Sequence, residues 1–312
     1  MKIVVFGDQQ RVGALHNDAV VDLNRVSERL PSQLEAFIAA GPAAIDEAQQ
    51  AIERAAAAGP GSGLLVPLSE TRLHAPWPRR RIACVGGNYA AHLMGMEGGR
   101  AGEAEVTLES ITQRTRANGQ WGFWKVPDDV AGPDDEIPYP KRTEYFDYEG
   151  EAAIVIGKRI KDASASQLRE CVWGVTLMND WSIRDGMGPS SRPMSNNLAK
   201  NFDRSTSLGP CIVVGELDPQ DVDVKLSVNG KERQSYNTRE MIFDFGEVLE
   251  YLSRDFTFVP GDIIAGGTSV GTAADQTKRA PDGSRPKDLF LKVGDTVELS
   301  SPSIGVLLNR IA

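Results

Sequence analysis

Two carboxylates stand one residue apart in Asp147-Tyr148-Glu149-Gly150-Glu151, directly before the apolar run Ala152 to Ile156. That run is rich in β-branched residues and predicts a buried strand. In an extended chain residues i and i+2 share a face, with backbones about 6.6 Å apart. Glu149 and Glu151 can therefore lean onto one ion. Without a cation they would repel each other at the edge of an apolar core. A second strand-like run, Trp173 to Met178, ends in Asn179-Asp180 and adds a third carboxylate. An isolated Glu-x-Glu more often faces solvent or meets an Arg, and Asp180 alone would serve equally well as an N-cap for the segment after it. Together, three carboxylates with no His and no nearby Cys suit Mg²⁺, Mn²⁺ or Ca²⁺ and argue against Zn²⁺. Three ligands on an octahedral ion leave positions for water or a chelating substrate. Lys200 ends an uncharged stretch, where its charge can offset the surplus of the cluster and meet an anionic substrate.

Seven short motifs stand in order along the chain: Cys84-Val-Gly-Gly-Asn-Tyr-Ala-Ala-His92, Asp147-Tyr-Glu-Gly-Glu151, Asn179-Asp-Trp-Ser-Ile-Arg-Asp185, Ala199-Lys-Asn-Phe-Asp203, Val228-Asn-Gly230, Asn237-Thr-Arg-Glu-Met-Ile-Phe243 and Pro260-Gly-Asp-Ile-Ile-Ala-Gly-Gly-Thr268. In this the chain resembles the fumarylacetoacetate hydrolase family, and within it the acylpyruvate hydrolase-like members, over residues 80–310. The resemblance implies that Glu149, Glu151 and Asp180 hold the metal and that Lys200 lines the site. It puts His92 on a mobile lid and Thr268 near the substrate carboxylate, with Tyr89, Lys125 and Arg184 as further substrate contacts. It also implies a homodimer. The expected fold is mixed α/β and strand-rich: a β-roll catalytic domain over 80–312 behind a small α+β domain over 1–75.

The chain departs from that pattern at the lid. Many hydrolytic members carry a Glu three residues after the lid His; here the position is Gly95, and Glu97 is the nearest carboxylate and so a candidate catalytic group. A long insertion runs from Glu97 to Trp121 before Gly122-Phe-Trp-Lys125 rejoins the pattern. Trp121, Phe123 and Trp124 either receive an aromatic or extended acyl group or pack beneath the lid. Gln276 to Lys287 reads as a further exposed insertion, and Thr268-Ser-Val-Gly-Thr272 is atypical. Gly86, Gly87, Gly95, Gly98, Gly99 and Gly102 surround His92, so residues 93–120 are expected to be mobile without substrate and to close over it.

The elements that must position these groups are mostly short strands. Ile3–Phe6, Val12–Leu15 and Ala19–Leu23 open the chain, and an Ala-rich helical stretch over 32–58 breaks at Gly41-Pro42. Strand-like runs follow at Ile82–Val85, Ala152–Ile156, Val172–Met178, Cys211–Val214, Val224–Val228, Ile263–Ala265 and Thr296–Leu299. From residue 80 onward, helical spacing is convincing only at Ser164–Glu170 and Ile242–Arg254, which argues against a doubly wound parallel sheet. Asn229-Gly230 marks a tight hairpin. The 312 residues allow one to three domains, and 34 basic against 43 acidic residues leave a net charge of −9. That balance gives no support to nucleic-acid or anionic-membrane binding. Cys84, Cys171 and Cys211 lie apart in apolar runs, as reduced core residues do. With no signal peptide or apolar span, a cytoplasmic enzyme is the expectation.

A metal with open positions suits a 2-oxo acid, whose carboxylate and carbonyl oxygens can chelate it. His92 is the candidate base, since an ordinary imidazole titrates near neutrality. The leading expectation is hydrolysis of a C–C bond in a β-diketo, acylpyruvate-like acid. The second is a lyase, isomerase or decarboxylase working through the same enolate, which Gly95 favours. A binding protein without catalysis is the third.

Overall fold

The computed structural model describes residues 1–97, 106–185, 196–215, 217–278 and 286–312. Its first strands are β1 (Lys2–Phe6), β2 (Arg11–His16) and β3 (Ala19–Asp22), an antiparallel meander. The Asp22 side chain then caps α1 (Leu23–Val26) by accepting from the Arg25 amide. The Ala-rich stretch splits into α2 (Leu34–Ala39) and α3 (Pro42–Ala58). Pro42 sits in the first turn of α3, where its missing N–H costs nothing. Ala44, Ala48, Ala51, Ile52 and Ala55 form the buried stripe of that helix. Two short strands, β4 (Leu65–Pro67) and β5 (Leu73–His74), close the segment.

The remainder begins with β6 (Ile82–Val85), α4 (Ala90–Glu97), α5 (Leu108–Asn118) and β7 (Gly122–Lys125). Next come β8 (Glu136–Ile137), β9 (Phe146–Asp147), β10 (Gly150–Ile156), α6 (Leu168–Cys171), β11 (Val172–Asp180) and β12 (Ser182–Ile183). Then follow α7 (Asn196–Lys200), β13 (Thr206–Val214), β14 (Asp223–Val228), β15 (Lys231–Asn237) and α8 (Phe245–Leu252). β16 (Ile263–Ala265), α9 (Ala273–Gln276), β17 (Thr296–Ser301) and β18 (Gly305–Ile311) complete the chain.

Among the described residues one sheet has eleven strands in the order β4-β3-β2-β1-β13-β11-β10-β16-β6-β7, with β5 on β1. Its pairs are antiparallel except β16 with β6. β1 lies on β13 with Lys2 opposite Val213, so the N-terminal strands continue the sheet that carries the carboxylates. A five-stranded sheet, β15-β14-β17-β18-β8, packs beside it. β10 is buried on both faces. Ala153 and Val155 join a core with α3, while Ala152, Ile154 and Ile156 join a second core with Leu226 and Leu299 of the smaller sheet. Double burial explains why β10 reads as an unbroken apolar run rather than an alternation. The architecture is the expected strand-rich mixed α/β.

Several elements differ from the sequence reading. The stretch Ser164–Glu170 makes a 3₁₀ turn at Ala165–Gln167 and then the short α6. Helices α4 and α5 and strand β18 have no counterpart in it. Part of the 97–121 insertion is the helix α5, started by a capping box between Thr107 and Ser110. No helix among the described residues is long and apolar enough to cross a membrane.

Candidate active site

The β10–β11 ladder sets Gly150 opposite Asn179 and Glu151 opposite Met178, and the Asp180 amide donates to the Glu149 carbonyl at 2.9 Å. This register brings three carboxylates to one strand end. Glu149, Glu151 and Asp180 are all buried and each offers an oxygen within 4.8 Å of the others. Asp180 closes β11 rather than capping a helix.

Three cations share the cluster. Lys200, at the end of α7, donates to Glu149 Oε2, to Asp180 Oδ2 at 2.8 Å and to Ser182 Oγ at 2.6 Å. Lys125 is fully buried and donates to Asp180 Oδ1 and, at 2.8 Å, to the Ser205 carbonyl. Arg184 donates to Glu149 Oε1 and, at 2.9 Å, to Asp147 Oδ2. Lys125 and Arg184 thus hold carboxylates of the site. Burial alone would raise the Glu149 carboxyl, but Arg184 and Lys200 outweigh it and hold it far below its usual range. Burial would lower Lys200, yet Asp180 and Glu149 push it up to about 12. Glu151 goes the other way. Burial, then repulsion from Asp180 and Glu149, drives its carboxyl well above the ordinary value.

Among the described residues, four buried carboxylates (Asp147, Glu149, Glu151, Asp180) meet three cations, so with all four ionised one negative charge is unbalanced. An all-oxygen set with surplus negative charge fits a hard divalent cation. Glu149, Glu151 and Asp180 are the residues that would hold it.

His92 lies on α4, and its Nδ1 is 2.8 Å from Asp275 Oδ2. The preceding loop is pinned by Asn88, which donates to the Phe243 and Gly266 carbonyls and accepts from the Phe243 amide. The Asp275 side chain is fully buried and accepts from the amides of Gly271 and Thr272. A Cβ added at Gly95 would come 2.7 Å from the Asp275 Cβ and 3.0 Å from its carbonyl oxygen. Gly95 therefore serves the close packing of α4 on α9, not a loose backbone. A carboxylate therefore stands beside His92 after all, on α9 rather than at position 95, in Asp275, which the sequence does not mark as a site residue. A signal for it existed: Thr272-x-x-Asp275 is a capping box at the start of α9.

Asp147 ties this pair to the cluster. One of its oxygens accepts from the Ala273 amide at 2.8 Å, and the other from the Ala274 amide at 3.1 Å and from Arg184. Thr268 donates to the Gly150 carbonyl at 2.9 Å and accepts from Gln234 at 2.8 Å, directly behind the carboxylates. Tyr89 is buried against Tyr236, ring centroids 5.0 Å apart, and its hydroxyl has no hydrogen-bond partner among the described residues. Glu97 ends α4, and its side chain lies outside the described residues, as do residues 98–105 of the expected lid and 279–285 of the second insertion. A separate cleft lined by Arg72, His74, Trp77 and Arg204 shares no residue with the cluster, and its Arg72 and Arg204 are paired with Asp135 and Asp129.

A buried, metal-competent carboxylate cluster stands at the strand ends of a mixed sheet, with a histidine–carboxylate pair beside it, an arrangement found in enzyme centres. The profile described as "Fumarylacetoacetate (FAA) hydrolase C-terminal" matches residues 81–312. This chain belongs to the fumarylacetoacetate hydrolase family, whose members include hydrolases, isomerases and tautomerases. It is 30% identical over 322 residues to the "Fumarylacetoacetate hydrolase domain-containing protein 2 homolog" of Dictyostelium discoideum, covering 98% of this chain and 94% of that one. It is 31% identical over 296 residues to "Oxaloacetate tautomerase FAHD2B, mitochondrial" of Homo sapiens, covering 94% and 83%. Maleylpyruvate hydrolase from Sphingobium sp. SYK-6, solved in complex with manganese (II) ion and pyruvate, has the same fold, with a TM-score of 0.73, 24% identity and coverage of 100% and 99%.

Proposed function

We propose that this chain is a divalent-metal-dependent enzyme that moves a proton on an enolisable 2-oxo acid, interconverting its keto and enol forms. The observation that carries this reading is the His92–Asp275 pair beside Glu149, Glu151 and Asp180. An Mg²⁺ or Mn²⁺ ion held there would supply Lewis acidity to the oxo-acid group. Asp275, held by backbone amides, accepts from Nδ1–H and fixes the imidazole tautomer. Nε2 is then the lone pair that takes the proton from the carbon beside the carbonyl, and Asp275 steadies the imidazolium that results. Lys200 adds fixed positive charge near the oxygen that becomes negative. The likeness to oxaloacetate tautomerases supports proton transfer without bond cleavage. The experiment follows the enol absorbance of oxaloacetate with Mn²⁺-loaded protein. Acceleration of about a hundredfold over Mn²⁺ alone, lost in His92→Ala, is expected. No acceleration with any 2-oxo acid would refute the reading.

Hydrolysis of a C–C bond in an acylpyruvate-like acid is the second reading. The same pair favours it, because a base that takes a proton from carbon can equally take one from water. Turnover of acetylpyruvate in H₂¹⁸O separates the two: label in a product carboxylate supports hydrolysis, and no cleavage leaves proton transfer alone.

A further inference from the structure

The edge strand β7 sorts its aromatic residues by face. Successive side chains on a strand point to opposite sides, so Trp124 faces away from Phe123 and Lys125. Trp124 packs on Phe256 and Phe258, with ring centroids 4.7 and 5.9 Å away, and belongs to the core. The other face runs out of the carboxylate cluster. Lys125, its deepest member, is buried on Asp180. One step outward, the Phe123 ring lies 5.6 Å from the Lys200 ammonium. Trp121 continues the stripe, with its ring 6.0 Å from Phe123, and is 46% exposed. Its carbonyl accepts from the Gly86 amide, which prolongs the β6–β7 ladder. Its indole rests on Gly86, where a Cβ would come 2.0 Å from the ring. Lys125 to Trp121 spans four residues, about 13 Å of extended chain. This is the length of a small acid reaching from the cluster to solvent.

We infer that Trp121 and Phe123 form the wall that receives the end of the substrate remote from its oxo-acid group, and that the chain selects 2-oxo acids whose remote end is planar and unsaturated, above all aromatic. The inference rests on the 2-oxo acid reading given above. Aromatic faces reward flat partners by offset stacking. Both ammonium groups on this face are engaged: Lys125 by Asp180 and the Ser205 carbonyl, and Lys200 by Glu149, Asp180 and Ser182. Among the described residues, a second carboxylate on the substrate therefore finds no free cation along this wall.

The test is calorimetric binding of pyruvate and phenylpyruvate to Mn²⁺-loaded protein, which requires no turnover. Phenylpyruvate should bind on the order of tenfold tighter. Trp121→Ala should bring the two affinities together while leaving pyruvate within about twofold, and Phe123→Leu should do so in part. Gly86→Ala, which pushes the indole off its seat without altering it, should reproduce the Trp121→Ala result. Equal affinities in the wild type, or a preference that survives all three changes, overturns the wall alone. If neither acid binds in a Mn²⁺-dependent way, the 2-oxo acid reading fails and takes the wall with it.

Discussion

His92 and Asp275 are 183 positions apart in sequence, yet Nδ1 and Oδ2 lie 2.8 Å apart in a buried contact between α4 and α9. Asp275 can occupy that place because residue 95 has no side chain; a Cβ there would overlap its own. The glycine and the aspartate are two halves of one arrangement.

Asp275→Asn keeps the shape but offers the imidazole the wrong polarity, so Nε2 ceases to be a dependable acceptor. Turnover should fall about a hundredfold or more while Mn²⁺ affinity stays near wild type. Calorimetric titration of Mn²⁺ alongside steady-state rates checks both. Equal loss of metal binding and rate would assign Asp275 a merely structural role.

Gly95→Ala should destabilise by about 1–3 kcal/mol, because the new methyl must push α4 from α9. Thermal unfolding measures the cost. Gly95→Glu combined with Asp275→Gly moves the carboxylate to α4 and should recover part of the rate that Asp275→Gly alone loses. No recovery would mean that the position on α9, and not merely the carboxylate, matters.

Lys200→Met leaves Glu149 and Asp180 short of a shared buried cation and should cost about 3–5 kcal/mol of stability without metal. A divalent ion would restore the missing charge, so the deficit should shrink when saturating Mn²⁺ is added. A deficit independent of Mn²⁺ would argue that the ion binds away from these carboxylates.

The Glu151 carboxyl, raised first by burial and then by Asp180 and Glu149, sets a pH dependence of definite sign. Between its ordinary value of 4.5 and its raised value, the folded apo chain holds a proton that the unfolded chain has released. Its contribution to stability is thus complete below pH 4.5 and is lost as pH rises through the folded value. The thermal midpoint of apo wild type should fall relative to Glu151→Gln as pH rises from 5 to 8. Metal needs the ionised form, so Mn²⁺ loading in that range should release a proton, measured by calorimetry in buffers of differing ionisation enthalpy. A proton count unchanged in Glu151→Gln would discard Glu151 as its source.

The triad was legible because Glu149, Glu151 and Asp180 adjoin apolar runs whose strand character is a local property. Lys200 was legible as a charge in an uncharged stretch. Asp275 was not, since its partner comes from a pairing across most of the chain, and hydrophobic period carries no trace of that. Gly95 stands out in sequence only as an absent carboxylate, and its packing purpose appears only once α9 lies against α4. Lys125 and Arg184 show the same limit: sequence marks a cation near the site but not which carboxylate it holds. β18 leaves little trace in the sequence because Val306 and Leu308 are exposed on one face, which weakens its alternation of apolar and polar residues.

Asp147 offers the last discriminating test, because it holds both halves of the centre at once. Its carboxylate fixes the Ala273 and Ala274 amides ahead of Asp275, and on its other side fixes Arg184, which grips Glu149. Asp147→Asn keeps the volume but turns one acceptor into a donor facing donors, so a buried polar group is left unpaired at a cost of about 1–3 kcal/mol. α9 and Arg184 should then both shift. Unlike Asp275→Asn, this change should weaken Mn²⁺ binding and slow turnover together, and excess Mn²⁺ should recover only the part of the rate lost through the metal. Complete recovery at high Mn²⁺ would show that Asp147 acts on Glu149 alone. An effect on rate with unaltered Mn²⁺ affinity would show that it acts on the histidine pair alone. Either result would break the proposed coupling between the two.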